Sequence, residues 1–275
     1  MALNRLVFSI LLAVFLASCT AGPANSDPIP VHSEFSIQST VLGEERVTNV
    51  YTPPTYDDGQ AALPVVYMPD GGIEEDFPHI ANTIAALIER GDIPPVILVG
   101  IENTERGRDL TPDSTTDFDR DYAPQTDGAS KFRAFIRDEL MPEIESRYRT
   151  TAERTIIGES SAGLFVMDTF FREPDLFDHY IAMDPALWWD DHALVRRASE
   201  AMQTISGEKS LWFAGSDAED IFTHTRELAS ILDDRAPDNL RWTYTDRPEE
   251  QHSTIFRATK EEALIWSLGE NRLNN

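Results

Sequence analysis

Polar and apolar residues alternate over residues 34–40 and 46–52, on either side of Gly43. That period of two predicts a half-buried antiparallel hairpin. The pattern then changes. Residues 64–68, 96–101, 155–157, 180–183 and 211–214 are short apolar runs without alternation. Strands apolar at consecutive positions are covered on both faces, as in a parallel sheet. Helical spacing fills the intervals, at residues 80–90, 129–148, 164–172, 193–205, 223–234 and 259–268. Pro142 sits inside the second of these and, lacking an N–H, predicts a kink there. Strands and helices that alternate after an antiparallel start specify an α/β fold. Its central sheet is mainly parallel, with antiparallel N-terminal strands and helices on both faces. Sites in such sheets lie at the carboxyl ends of the strands. The loops after Met68, Ile101, Ile157, Met183, Ala214 and Thr245 therefore share one rim.

The amino terminus has a different pattern. Arg5 precedes an apolar stretch, residues 6–16, too short to span a bilayer as a mature helix. Leu16-Ala17-Ser18-Cys19 follows and matches the lipobox read by bacterial lipoprotein signal peptidase. Cys19 is the single cysteine of the chain. Residues 1–18 are thus expected to be a signal peptide, and Cys19 the lipid attachment point that anchors the protein to a membrane. Thr20, rather than aspartate, follows the cysteine, which favours the outer membrane of a bacterial cell envelope. Residues 19–33, with Gly22, Pro23, Pro28 and Pro30, read as a tether, and residues 34–275 as a single domain. No thiol remains for a disulfide or a thiolate metal site. The 23 Lys and Arg against 48 Asp and Glu give a net charge of −25, which argues against a nucleic-acid partner. Nothing in the pattern specifies an oligomeric state.

The chemistry concentrates at Gly158-Glu159-Ser160-Ser161-Ala162-Gly163, between the strand at 155–157 and the helix at 164–172. Strand, turn of tiny residues, then helix is the setting of a nucleophile elbow. Ser160 has glycine two residues before it and alanine two residues after it, where glycine is usual. Ser161 would place Glu159 where a small residue is needed, so Ser160 is the candidate nucleophile. Its base must come from a rim loop. His32 lies in the tether, His79, His192 and His224 fall in or near helices, and His179 precedes a strand. His252 occupies the polar loop before the final helix and is the candidate base, with His224 a distant second. The orienting carboxylate is expected after the 211–214 strand, one before the strand that leads to His252, and the chain order serine, acid, histidine fits that placement. Asp217, Glu219 and Asp220 crowd that loop, and Asp217, nearest the strand end, is the assignment. The amides of Ser161 and Gly72, with Gly71 close behind, are the candidate oxyanion donors. Trp188, Trp189 and Arg108, in loops on the same rim, are candidates for the substrate pocket.

These segments, taken in order with residues 63–72, 93–101, 108–112 and 135–148, resemble the "Putative esterase" family of α/β hydrolases. That family includes esterase D and the enterochelin-esterase-like enzymes. The resemblance implies an α/β-hydrolase fold and a Ser-acid-His carboxylic-ester hydrolase with no metal or organic cofactor. It implies a small-molecule ester as substrate, with a siderophore ester as the alternative. Acyl transfer to a sugar and a non-catalytic envelope lipoprotein are further alternatives. The family often has Ser-Pro-Ser where this chain has Asp184-Pro185-Ala186, which puts a carboxylate beside the pocket.

Overall fold

The computed structural model describes residues 27–269. Cys19 and the expected signal peptide lie outside the described residues. Eight strands, β1 (Ser33–Gln38), β2 (Glu45–Tyr51), β3 (Leu63–Pro69), β4 (Ile97–Ile101), β5 (Thr150–Glu159), β6 (His179–Met183), β7 (Lys209–Gly215) and β8 (Leu240–Asp246), form one sheet. Their order is β1-β2-β4-β3-β5-β6-β7-β8. The pairs β1·β2 and β2·β4 are antiparallel. From β4 to β8 every pair is parallel. The hairpin and the apolar runs thus fall where their different periodicities place them.

The helices are α1 (Thr55–Asp58), α2 (Phe77–Arg90), α3 (Arg106–Leu110), α4 (Gly128–Phe135), α5 (Met141–Arg147), α6 (Ser161–Arg172), α7 (Trp189–Ala201), α8 (Glu219–Arg235) and α9 (Ile255–Leu268). Alternate strand residues feed two separate cores. Tyr67, Ile156, Ala182 and Phe213 pack with Phe132 of α4, Phe165 of α6 and Leu228 of α8. Their neighbours Met68, Ile157, Met183 and Trp212 pack with Ile80 of α2 and Leu264 of α9. Burial on both faces explains why these strands carry no alternation. A π-helical turn, Ile136–Leu140, separates α4 from α5 just before Pro142, where the sequence predicts a kink. A proline cannot donate to the carbonyl four residues back, and the ladder widens by one residue just before it.

The last residues of the expected tether are seated on the domain. Asn82 Nδ2 donates to the Pro28 carbonyl at 2.7 Å, Arg257 pairs with Asp27 at 2.5 Å, and the His32 ring meets Phe77 edge-on at 5.6 Å. Arg46 of β2 is fully buried and pairs with Asp109, with Glu44 at 3.0 Å and with Thr104 Oγ1 at 2.8 Å. This network fixes α3 over the rim.

Candidate active site

The strand-to-helix turn at Ser160 has the strain that an elbow demands. Ser160 has φ 59° and ψ −120°, a conformation that costs an L residue energy and is held here by its surroundings. Its amide donates to the Met183 carbonyl at 3.0 Å, and its carbonyl accepts from Leu164 at 2.8 Å and Ala186 at 3.1 Å. A Cβ on Gly158 would lie 2.7 Å from the backbone of Ala162. Glycine at 158 is therefore what leaves room for the alanine methyl at 162. A Cβ on Gly163 would meet the Met183 carbonyl oxygen and Pro185 Cα at 3.0 Å, so the glycine there lets α6 close on β6.

Ser160 Oγ lies 3.0 Å from His252 Nε2, and His252 Nδ1 lies 2.9 Å from Asp184 Oδ2. Three groups far apart in sequence thus meet at one edge of the sheet. The carboxylate on the His252 ring is Asp184, not Asp217. Asp217 is exposed, and its backbone N–H donates to the Glu250 carbonyl at 3.0 Å, pinning the loop that carries His252. Asp184, one strand earlier, is fully buried at the carboxyl end of β6 with φ 43°. Ser216 donates to both of its oxygens, from N to Oδ1 and from Oγ to Oδ2, each at 2.6 Å. The end of β7 therefore supplies the donors that orient the carboxylate, rather than the carboxylate itself. Glu219 and Asp220 are exposed residues of α8. His224 stacks on His192 at 4.7 Å between α7 and α8, and takes no part in this chain of contacts.

His252 is held above the ordinary histidine range, first by its hydrogen bond to Asp184 and further by the charge of Glu159. Glu159 Oε1 lies 3.5 Å from His252 Nε2. Burial pushes the Glu159 carboxyl up to about 7.

The candidate oxyanion donors differ from one another. Ser161 begins α6, so its N–H belongs to the first turn, whose amides have no intrahelical partner. Gly71 is excluded, because its N–H donates to the Ile101 carbonyl at 2.9 Å. The Gly72 N–H is occupied: Glu75 folds back over the turn and accepts it at Oε2, 2.7 Å away. Asn103 Nδ2 holds the other Glu75 oxygen at 2.8 Å. The Gly72 N–H is thus already engaged by a side-chain oxygen, and a substrate would have to displace it.

A cavity of about 210 Å³ adjoins Ser161, with Arg106, Leu164, Tyr122, Trp188 and Trp189 in its walls. Trp188 contacts Tyr122 at 4.8 Å and Phe118 at 5.9 Å, while Trp189 is buried with Nε1 on the Pro112 carbonyl at 3.1 Å. Both tryptophans are therefore wall residues. Arg108 is not among the residues around this cavity. It pairs with Asp109 at 2.7 Å and Glu44 at 2.6 Å, on the β1–β2 side. Positions two apart on a helix face nearly opposite ways, and Arg106 takes the cavity side. Its guanidinium is spanned by Asp70, with two contacts of 2.8 Å.

The model of the "Putative esterase" family matches residues 39–264. The chain is 28% identical to the ferri-bacillibactin esterase BesA of Bacillus subtilis over 270 residues, covering 90% of this chain and 93% of that one. It is 25% identical to the siderophore triacetylfusarinine C esterase of Aspergillus fumigatus over 193 residues, 64% of this chain and 63% of that one. An IroE-like serine hydrolase from Shewanella oneidensis superposes with a TM-score of 0.77 at 29% identity, covering 86% of this chain and 79% of the other. With its family model matched over most of its length and its sheet built in the α/β-hydrolase order, the chain belongs to the "Putative esterase" family and is an esterase.

Proposed function

We propose that this esterase is a serine hydrolase of siderophore-type carboxylic esters, working through an acyl-enzyme. The carrying observation is the run of contacts from Ser160 Oγ through the His252 ring to Asp184. His252 Nε2 takes the Oγ proton as Oγ bonds to the ester carbonyl carbon. Asp184 accepts from Nδ1–H, which keeps Nε2 free to act as base and stabilises the imidazolium. The oxyanion forms at the amino terminus of α6, on the Ser161 N–H and the positive end of the helix. Gly72 joins it once Glu75 swings away. Collapse breaks the ester C–O bond, and the departing alkoxide takes the proton from Nε2. Water then repeats the sequence on the acyl-enzyme and releases the acid.

The siderophore class comes from the relatives, and the charge of the site refines it. Arg106 and Arg108 are both paired with carboxylates, so neither offers a free positive charge. On a chain of net charge −25, an anionic ferric catecholate meets repulsion that an uncharged ester does not. Turnover of a trilactone siderophore should exceed that of p-nitrophenyl acetate in kcat/KM. Salt should raise kcat/KM for the ferric trilactone and leave the iron-free one unchanged. A trilactone turned over more slowly than the acetyl ester contradicts the siderophore reading.

The proposed location is the bacterial envelope, with the outer membrane favoured and Cys19 lipidated. The lipobox and single cysteine support it, and no described helix is long and apolar enough to cross a membrane. Globomycin should block processing of the precursor; unchanged processing contradicts lipidation.

A further inference from the structure

Asp184 is not the only carboxylate on the His252 ring. Glu159, the residue before the nucleophile, places Oε1 3.5 Å from Nε2, on the edge that faces Ser160. Its side chain is only 16% exposed, so it is not a solvated bystander. We propose that Glu159 is a second positioning residue for His252, a carboxylate that braces the imidazolium as it forms and sets the pH at which the base becomes available. This rests on the Ser160–His252 reading above.

The geometry gives the two carboxylates different tasks. Asp184 accepts from Nδ1 throughout the cycle. Glu159 faces Nε2, which carries a hydrogen only after the serine proton has transferred. Its attraction therefore grows as charge develops on the ring, which is the differential that accelerates a step. The same attraction favours protonation of His252 in the resting enzyme. The other charged groups around the pair are Asp184 after β6, Asp220 on α8, Asp76 before α2, and Arg106 on α3, itself paired with Asp70. Glu159 and His252 thus titrate as an interacting pair.

The signs follow directly. An ionised Glu159 raises the His252 pKa, so removing the charge frees the base at lower pH and weakens support for the imidazolium. In Glu159→Gln, the acid limb of the kcat/KM profile should move down by about one pH unit, as expected for loss of an opposite charge within a few ångströms. The alkaline plateau should fall about tenfold, the rate equivalent of that shift. Stability should move the other way. A carboxyl whose folded pKa lies above its unfolded value stabilises the fold below the unfolded value. That contribution is lost as pH rises through the folded one, here about 7. Glu159→Gln escapes that loss, so its Tm should exceed wild type above pH 7.

The deciding experiment is the pH profile of kcat/KM on p-nitrophenyl acetate for wild type, Glu159→Gln and Glu159→Asp, with melting curves at each pH. Glu159→Asp keeps the charge and should keep most of the wild-type limb position. Equal shifts in Asp and Gln, a Gln profile lowered in parallel with its limb unmoved, or a profile superimposable on wild type would each overturn the role of Glu159. Ser160→Ala, run alongside, separates the two questions. Its retention of activity defeats the proposed function, whatever the Glu159 variants do.

Discussion

Ser160→Ala should lower kcat about a million-fold, the scale on which a serine hydrolase loses its nucleophile. No neighbour can replace it. Within the elbow it is Ser160 that has the strained φ of 59° projecting its side chain, and its Oγ lies 3.0 Å from His252 Nε2. Ser161 is the first residue of α6, and its backbone amide, not its hydroxyl, is the group proposed for the oxyanion. Ser161→Ala keeps that amide and should therefore leave kcat within a few-fold of wild type. Steady-state hydrolysis of p-nitrophenyl acetate measures both. Substantial turnover by Ser160→Ala contradicts the mechanism.

The second large effect belongs to Asp184. Asp184→Asn should reduce kcat about ten-thousand-fold while the fold is retained. An asparagine amide turned to His252 Nδ1 donates where the carboxylate accepted. That forces the ring hydrogen onto Nε2 and removes the lone pair that must take the serine proton. Turned the other way, the amide faces the Ser216 donors, which reach both oxygens of Asp184 at 2.6 Å. Either orientation leaves a buried group mismatched. Asp217→Asn should stay within about threefold of wild type, because Asp217 is exposed and its hydrogen bond to Glu250 is made by its backbone. Measured in parallel, the two variants separate an acid after β6 from an acid after β7.

The contrast shows which features of the site were legible in the sequence. Burial on both faces writes itself into consecutive apolar residues, so the parallel strands and their order relative to the hairpin could be read directly. The elbow was legible because its steric demands fall on neighbours: glycine at 158 is required by contact with Ala162. His252 stood out as the histidine in the loop before the last helix. The acid was harder, since carboxylates follow both β6 and β7, and chain order admits either. What distinguishes them is burial and the two donors from Ser216, which are properties of packing between neighbouring strands. Asp184 did carry one signal, a carboxylate between an apolar strand and Pro185. Arg108 lies away from the cavity for a related reason. Its charge suggested a pocket, but Glu44 and Asp109, distant or adjacent in sequence, turn it away. The Glu75 contact with Gly72 depends on a turn that folds back on itself, and the Gly-Gly pair alone did not specify it.

The most direct test of the convergence is covalent. A fluorophosphonate probe incubated with the intact protein, followed by proteolysis and mass spectrometry, should place one phosphonyl adduct on Ser160. Pretreatment should abolish ester hydrolysis in proportion to labelling. An adduct on Ser161, or full hydrolysis after complete modification, would contradict the account.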